Sequence, residues 1–138
     1  MKTTTFYEAD GSVYLTRWTL LNMGRLGRIA LHRFHRPDAD PELHDHPWSF
    51  LSLVVKGWYV EELGGCRFAV RRGFLSLAYR QAAIPHRVAA MSEGGCWTLL
   101  WISGKRRGRE WGFYTDKGWE PWGRFPAQRQ SNNGEHGP

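Results

Sequence analysis

Apolar residues alternate with polar ones in short runs along this chain, and helical spacing is nearly absent. Val13 to Leu21 (VYLTRWTLL) and Gly27 to His35 (GRIALHRFH) read as strands, separated by a turn at Asn22-Met23-Gly24. Arg36 to Pro41 reads as a loop from its proline and aspartate content. Leu43 to Lys56 reads as one long strand bent at Pro47 and broken by Gly57. Its run Phe50 to Val55 is apolar on both faces, which predicts a central strand covered on both sides. Trp58 to Leu63, Cys66 to Val70, Phe74 to Tyr79, His86 to Met91, Trp97 to Ile102 and Trp111 to Thr115 follow as strands. Turns are expected at Gly64-Gly65, Arg72-Gly73 and Glu93-Gly94-Gly95, and the aromatic segment Gly118 to Trp122 closes the pattern. Many short strands without helical crossovers predict an all-β antiparallel sandwich or barrel.

The 138 residues suit one domain, expected over 1–123, with 124–138 a polar tail expected to be disordered. Eight tryptophans favour half-buried sheet surfaces and pocket walls. The net charge of +6 is dispersed. Its one dense run, Lys105-Arg106-Arg107 with Arg109, reads as a solvated loop, which argues against a nucleic-acid partner. Cys66 and Cys96 lack a Cys-x-x-Cys motif and read as small buried thiols, reduced in the cytoplasm. No apolar stretch approaches the roughly 20 residues of a membrane span.

The chemistry concentrates at His44-Asp45-His46. Alternation sends both imidazoles to one face, about 6–7 Å apart at Cα, and Asp45 to the other. Such a pair reaches a single metal ion through bonds of about 2.1 Å, and His86, opening a second strand after Ile84-Pro85, is the candidate third ligand. The competing reading has these histidines bonded to loop carbonyls.

This arrangement resembles the cupin superfamily of jelly-roll barrels. The first cupin motif carries a glycine, two histidines one residue apart, a glutamate and a final glycine; His44, His46 and Gly57 match. His86 resembles the histidine of the second motif. The stretch Leu43 to Trp48 (LHDHPW) is also similar to that of small bacterial and phage-associated cupin-like proteins. Phe50 stands at the glutamate position, Asp38 at the first glycine, and Ala83 and Ala90 replace two second-motif residues.

The resemblance implies a double-stranded β-helix holding a divalent metal ion. Fe(II) comes first, with Zn, Ni and Mn as alternatives. Two arrangements stay open: three histidines alone, or a carboxylate from Asp38, Asp40 or Glu61 completing the site. The first keeps the full +2 charge and favours an anionic, chelating substrate. The implied activity is that of a non-haem iron oxygenase acting on a small molecule. The alternative is a non-catalytic barrel binding a sugar-like ligand, its metal structural or absent. A homodimer through a sheet face or edge is also implied.

Phe50, Trp48, His32 and Tyr59 are the candidate substrate-pocket residues. Tyr79, Trp97 and Trp101 are further candidates for the barrel lining. Arg33, Arg80 and Arg87 are candidates for an inward carboxylate clamp, against the reading of snorkelling surface arginines.

Overall fold

The computed structural model describes residues 1–8, 10–64, 66–104 and 110–122. These form twelve strands: β1 (Lys2–Tyr7), β2 (Val13–Asn22), β3 (Arg28–Phe34), β4 (Leu43–His44), β5 (Phe50–Lys56), β6 (Tyr59–Leu63), β7 (Phe68–Arg72), β8 (Leu77–Arg80), β9 (His86–Met91), β10 (Cys96–Ile102), β11 (Gly112–Thr115) and β12 (Gly118–Pro121). One sheet runs β1-β2-β3-β10-β5-β8 and the other β12-β11-β4-β9-β6-β7. Every pairing is antiparallel, and successive strands cross repeatedly between the sheets, as in a jelly roll. No helix among the described residues is long and apolar enough to cross a membrane.

Alternation decides what enters the barrel. On β10, Cys96, Thr98, Leu100 and Ile102 are buried. Trp97 and Trp101 therefore face outward: Trp97 stacks on Trp18 with ring centroids 5.4 Å apart, and Trp101 Nε1 donates to the Leu26 carbonyl. Tyr79 on the edge strand β8 is exposed. The aromatic lining expected from the sequence thus includes Trp48 and Tyr59 but not Tyr79, Trp97 or Trp101. Cys66 is exposed rather than buried, whereas Cys96 is buried; both are free thiols.

Three apolar clusters carry the core: Val54, Tyr59, Val88 and Cys96; Phe6, Tyr14 and Leu15; and Ala30, Leu100 and Ile102, the last flanked by Trp48 and Phe50. Arg17, His32, Ser52, Glu61 and Thr98 are buried with them, so the barrel interior is partly polar.

Two expectations change. The segment 43–56 is not one bent strand. The chain leaves the second sheet after His44 and enters the first at Phe50. Pro47, with no N–H to give a ladder, sits in that crossing. Strand β5 also lies one place from the sheet edge: Ser52 and Val54 are buried, but Leu51, Leu53 and Val55 are only half-buried. Two strands escaped the sequence reading, β1 and β12. The segment 124–138 and the basic residues 105–109 lie outside the described residues.

Gly57 ends β5 with φ +80°, and a Cβ there would meet Ser92 Oγ at 2.5 Å and the Gly95 carbonyl at 2.7 Å. That close approach, as much as the backbone angle, calls for glycine at the end of the first motif.

Candidate metal centre

His44 and His86 face each other directly in the β4–β9 register. His46 comes from the crossing segment, two residues on. The three rings form a near-equilateral triangle, with centroids 5.0 Å (His44–His46), 4.9 Å (His44–His86) and 4.9 Å (His46–His86) apart. All three residues are buried, and one nitrogen from each lies within 4.8 Å of the others. The Nε2 atoms of His46 and His86 are 2.7 Å apart.

A tetrahedral ion with bonds of about 2.1 Å needs nitrogens about 3.4 Å apart. Small ring rotations take this cluster there, so the residues present fit a divalent ion. Protonation suits it as well. Burial pushes His46 well below the usual imidazole range, helped by His86 and Arg17 and opposed by Glu61. A neutral imidazole is the form that binds metal.

Asp45 turns away from the cluster, as alternation predicts. It is fully buried, accepts from the Gly112 N–H at 2.8 Å, and its own N–H donates to the Gly112 carbonyl. These bonds tie the histidine segment to β11.

Of the carboxylates weighed as a fourth ligand, none joins the cluster. Glu61 lies behind it. Its Oε1 is 3.0 Å from His86 Nδ1 and accepts from Arg80 Nε at 2.9 Å; its Oε2 accepts from Arg72 Nε and an Arg80 terminal nitrogen, both at 2.7 Å. Burial opposes the Glu61 charge, but His86, Arg80 and Arg72 outweigh it and hold the carboxyl down at about 2. A carboxylate on Nδ1 fixes the ring and aims Nε2 inward, the usual partner of a metal-binding histidine. Asp38 lines the cavity but accepts from the Val88 N–H at 2.6 Å and from the Tyr14 hydroxyl. Asp40 does not line the cavity.

Phe50, at the glutamate position of the cupin motif, packs its ring 5.6 Å from His46 and 5.7 Å from His86. An apolar ring thus takes the place where a carboxylate would reach the cluster.

The cavity has a volume of about 50 Å³, room for a few waters or a small ligand. All four pocket residues expected from the sequence, His32, Trp48, Phe50 and Tyr59, line it. The arginines do not form a clamp. Arg80 turns inward but is committed to Glu61; Arg33 lies over the outward-facing Trp97, and Arg87 pairs with Glu62.

Sequence reasoning missed Arg17 and Thr98, both buried. The signal for Arg17 was parity, since it shares a face of β2 with buried Leu15. The Glu61–His86 contact had no local signal, because it crosses from β6 to β9.

No family model matches the chain, and no curated protein matches it. Solved structures do. A cupin-2 domain protein of Rhodospirillum rubrum superposes with a TM-score of 0.65 at 15% identity, over 85% of this chain and 77% of that one. A variant of the Streptomyces protein PAC13 with uridine gives 0.59 at 13% identity, over 82% and 85%; PAC13 is described as a nucleoside dehydratase. KdgF of a Halomonas species gives 0.53 at 18% identity, over 67% and 82%. The chain has the cupin fold, a jelly-roll barrel, with a three-histidine cluster inside it.

Proposed function

We propose that the chain is a metal-dependent cupin enzyme of the non-haem iron oxygenase type acting on a small molecule. His44, His46 and His86 would hold one divalent ion, Fe(II) first and Zn, Ni or Mn as alternatives. The observation that carries this reading is the convergence of three buried imidazoles on one cavity, with Glu61 backing His86 and no carboxylate among them. A bound ion would supply Lewis acidity, and with iron a site for oxygen activation, at the positions three histidines leave open. The residues of the chain do the rest. Glu61 holds the His86 ring in orientation. Phe50, Trp48 and Tyr59 narrow the cavity and limit water. The small volume selects a small substrate.

A second reading has the ion act as a Lewis acid without oxygen; one of the similar structures is described as a nucleoside dehydratase, and a dehydration consumes no oxygen. A cytoplasmic site, where Cys66 and Cys96 stay reduced, and self-association through a sheet face or edge complete the proposal.

Elemental analysis of protein purified without an affinity tag, paired with oxygen-uptake measurements, tests it. Near-stoichiometric iron with substrate-dependent oxygen uptake is expected. Zinc or nickel with no uptake would favour the Lewis-acid reading. Absence of any bound metal, with none taken up on addition, would overturn both.

A further inference from the structure

On the opposite sheet from His44 and His86, β3 and β10 place His32 beside Thr98 in direct register. Both are buried, 3% and 1% exposed, and both line the cavity. Arg17 is the register partner of His32 on β2, itself 1% exposed, and its Nε donates to His32 Nε2 at 2.8 Å. An arginine N–H only donates, so Nε2 of His32 must be the bare nitrogen, and the proton of the neutral ring sits on Nδ1. Burial and the Arg17 charge keep that ring neutral. Neither His32 Nδ1 nor Thr98 Oγ1 has a hydrogen-bond partner among the described residues. Both atoms have under 1 Å² of exposed surface, so these unspent donors are costly until a ligand entering the cavity displaces the packing over them and takes their bonds.

We propose that His32 and Thr98 form a second anchor for the ligand, an N–H and an O–H that hold a carboxylate oxygen of a small molecule whose other end reaches the histidine cluster. This rests on the metal-site reading above. The charge balance favours an anion. Three neutral imidazoles leave a bound divalent ion its full charge. Glu61 faces two arginines, and the other carboxylate in the lining, Asp38, is outnumbered by the arginine charge left over there and by buried Arg17. A ligand that gives one carboxylate oxygen to this anchor and another oxygen to the ion, in a cavity of about 50 Å³, points to a short dicarboxylate or a 2-oxo or 2-hydroxy acid. Arg17 is a positioning residue: it sets which His32 nitrogen faces the ligand.

The test uses the full chain loaded with Co(II), whose visible absorption reports ligand entry. Metal binding is titrated first; oxalate, malonate and succinate are then added in turn, with chloride as an anion that needs the metal alone. At least one acid is expected to bind. Thr98→Val, which keeps shape and removes the hydroxyl, should weaken it about tenfold, while metal affinity and chloride binding stay within about twofold. His32→Phe should do the same, and Thr98→Val decides alone if that variant does not fold. Acid affinity within about twofold of wild type in Thr98→Val, or no response to any of the three acids, overturns the anchor and leaves the metal site standing. Failure of Co(II) to bind in the first titration overturns the metal-site reading and the anchor with it.

Discussion

Glu61 Oε1 stands 3.0 Å from Nδ1 of His86, on the side of the ring away from His46. The contact binds the stability of the barrel to the geometry of the histidine cluster, because the same carboxylate also collects Arg72 and Arg80.

Removing that carboxylate should therefore do two separable things. Glu61→Gln should lower metal affinity roughly 10- to 100-fold by loosening the His86 ring. Glu61→Ala should in addition destabilise the fold by about 3–5 kcal/mol, since it leaves half-buried arginines uncompensated. Metal titration and urea midpoints measure the two effects. A Glu61→Gln protein with wild-type metal affinity would show that His86 needs no support.

Acid should destabilise the metal-free protein. His46 and His32 lie well below their usual value of 6.5 when folded, so the unfolded chain takes up protons first and stability falls as pH drops through about 6.5. Glu61 has the opposite chemistry and the same sign. Its carboxyl is held at about 2 against a usual 4.5, so its contribution is present above 4.5 and fades as pH falls toward 2. Urea midpoints from pH 8 to pH 4 should decline, beginning near neutrality. A flat profile would contradict the buried, neutral state of His32 and His46.

Phe50→Glu should restore the carboxylate that the cupin motif places beside the cluster. Without metal, a new buried charge should lower the melting temperature. With saturating Co(II), the gain in stability should exceed that of wild type by about 1.4 kcal/mol for each tenfold improvement in affinity. Thermal melts with and without metal read both. Equal metal-induced shifts in the two proteins would mean that position 50 does not face the ion.

Asp45→Ala should cost about 1–3 kcal/mol, because the buried Gly112 N–H loses its partner and the histidine segment loses its tie to β11. Unfolding midpoints and metal affinity should fall together. An unchanged midpoint would show that β4 is held by other contacts.

The barrel was legible because many short β-rich runs are parted by turn residues without helical crossovers; which face of each run turns inward was not, since on β10 Thr98, Leu100 and Ile102 are buried where Trp97 and Trp101 were the expected lining. His44, His46 and His86 were legible from spacing, but the pair does not owe its convergence to strand alternation alone. They meet because the chain changes sheets after His44, not because they ride one continuous strand. Strand β1 was hidden by its polar start, where only Thr4 and Phe6 are buried. The roles of Glu61, Arg17 and Thr98 were out of reach for a physical reason: each depends on a partner from a distant strand, and local pattern carries no register between strands far apart in sequence.

The measurement that bears most directly on the central claim is metal stoichiometry after reconstitution, compared between wild type and His44→Ala, His46→Ala and His86→Ala. One divalent ion per wild-type chain is expected, with each single variant losing most of its affinity while keeping a β-rich circular-dichroism spectrum. Undiminished binding in a folded His86→Ala chain, or no stoichiometric ion in wild type, would contradict a centre built from these three rings.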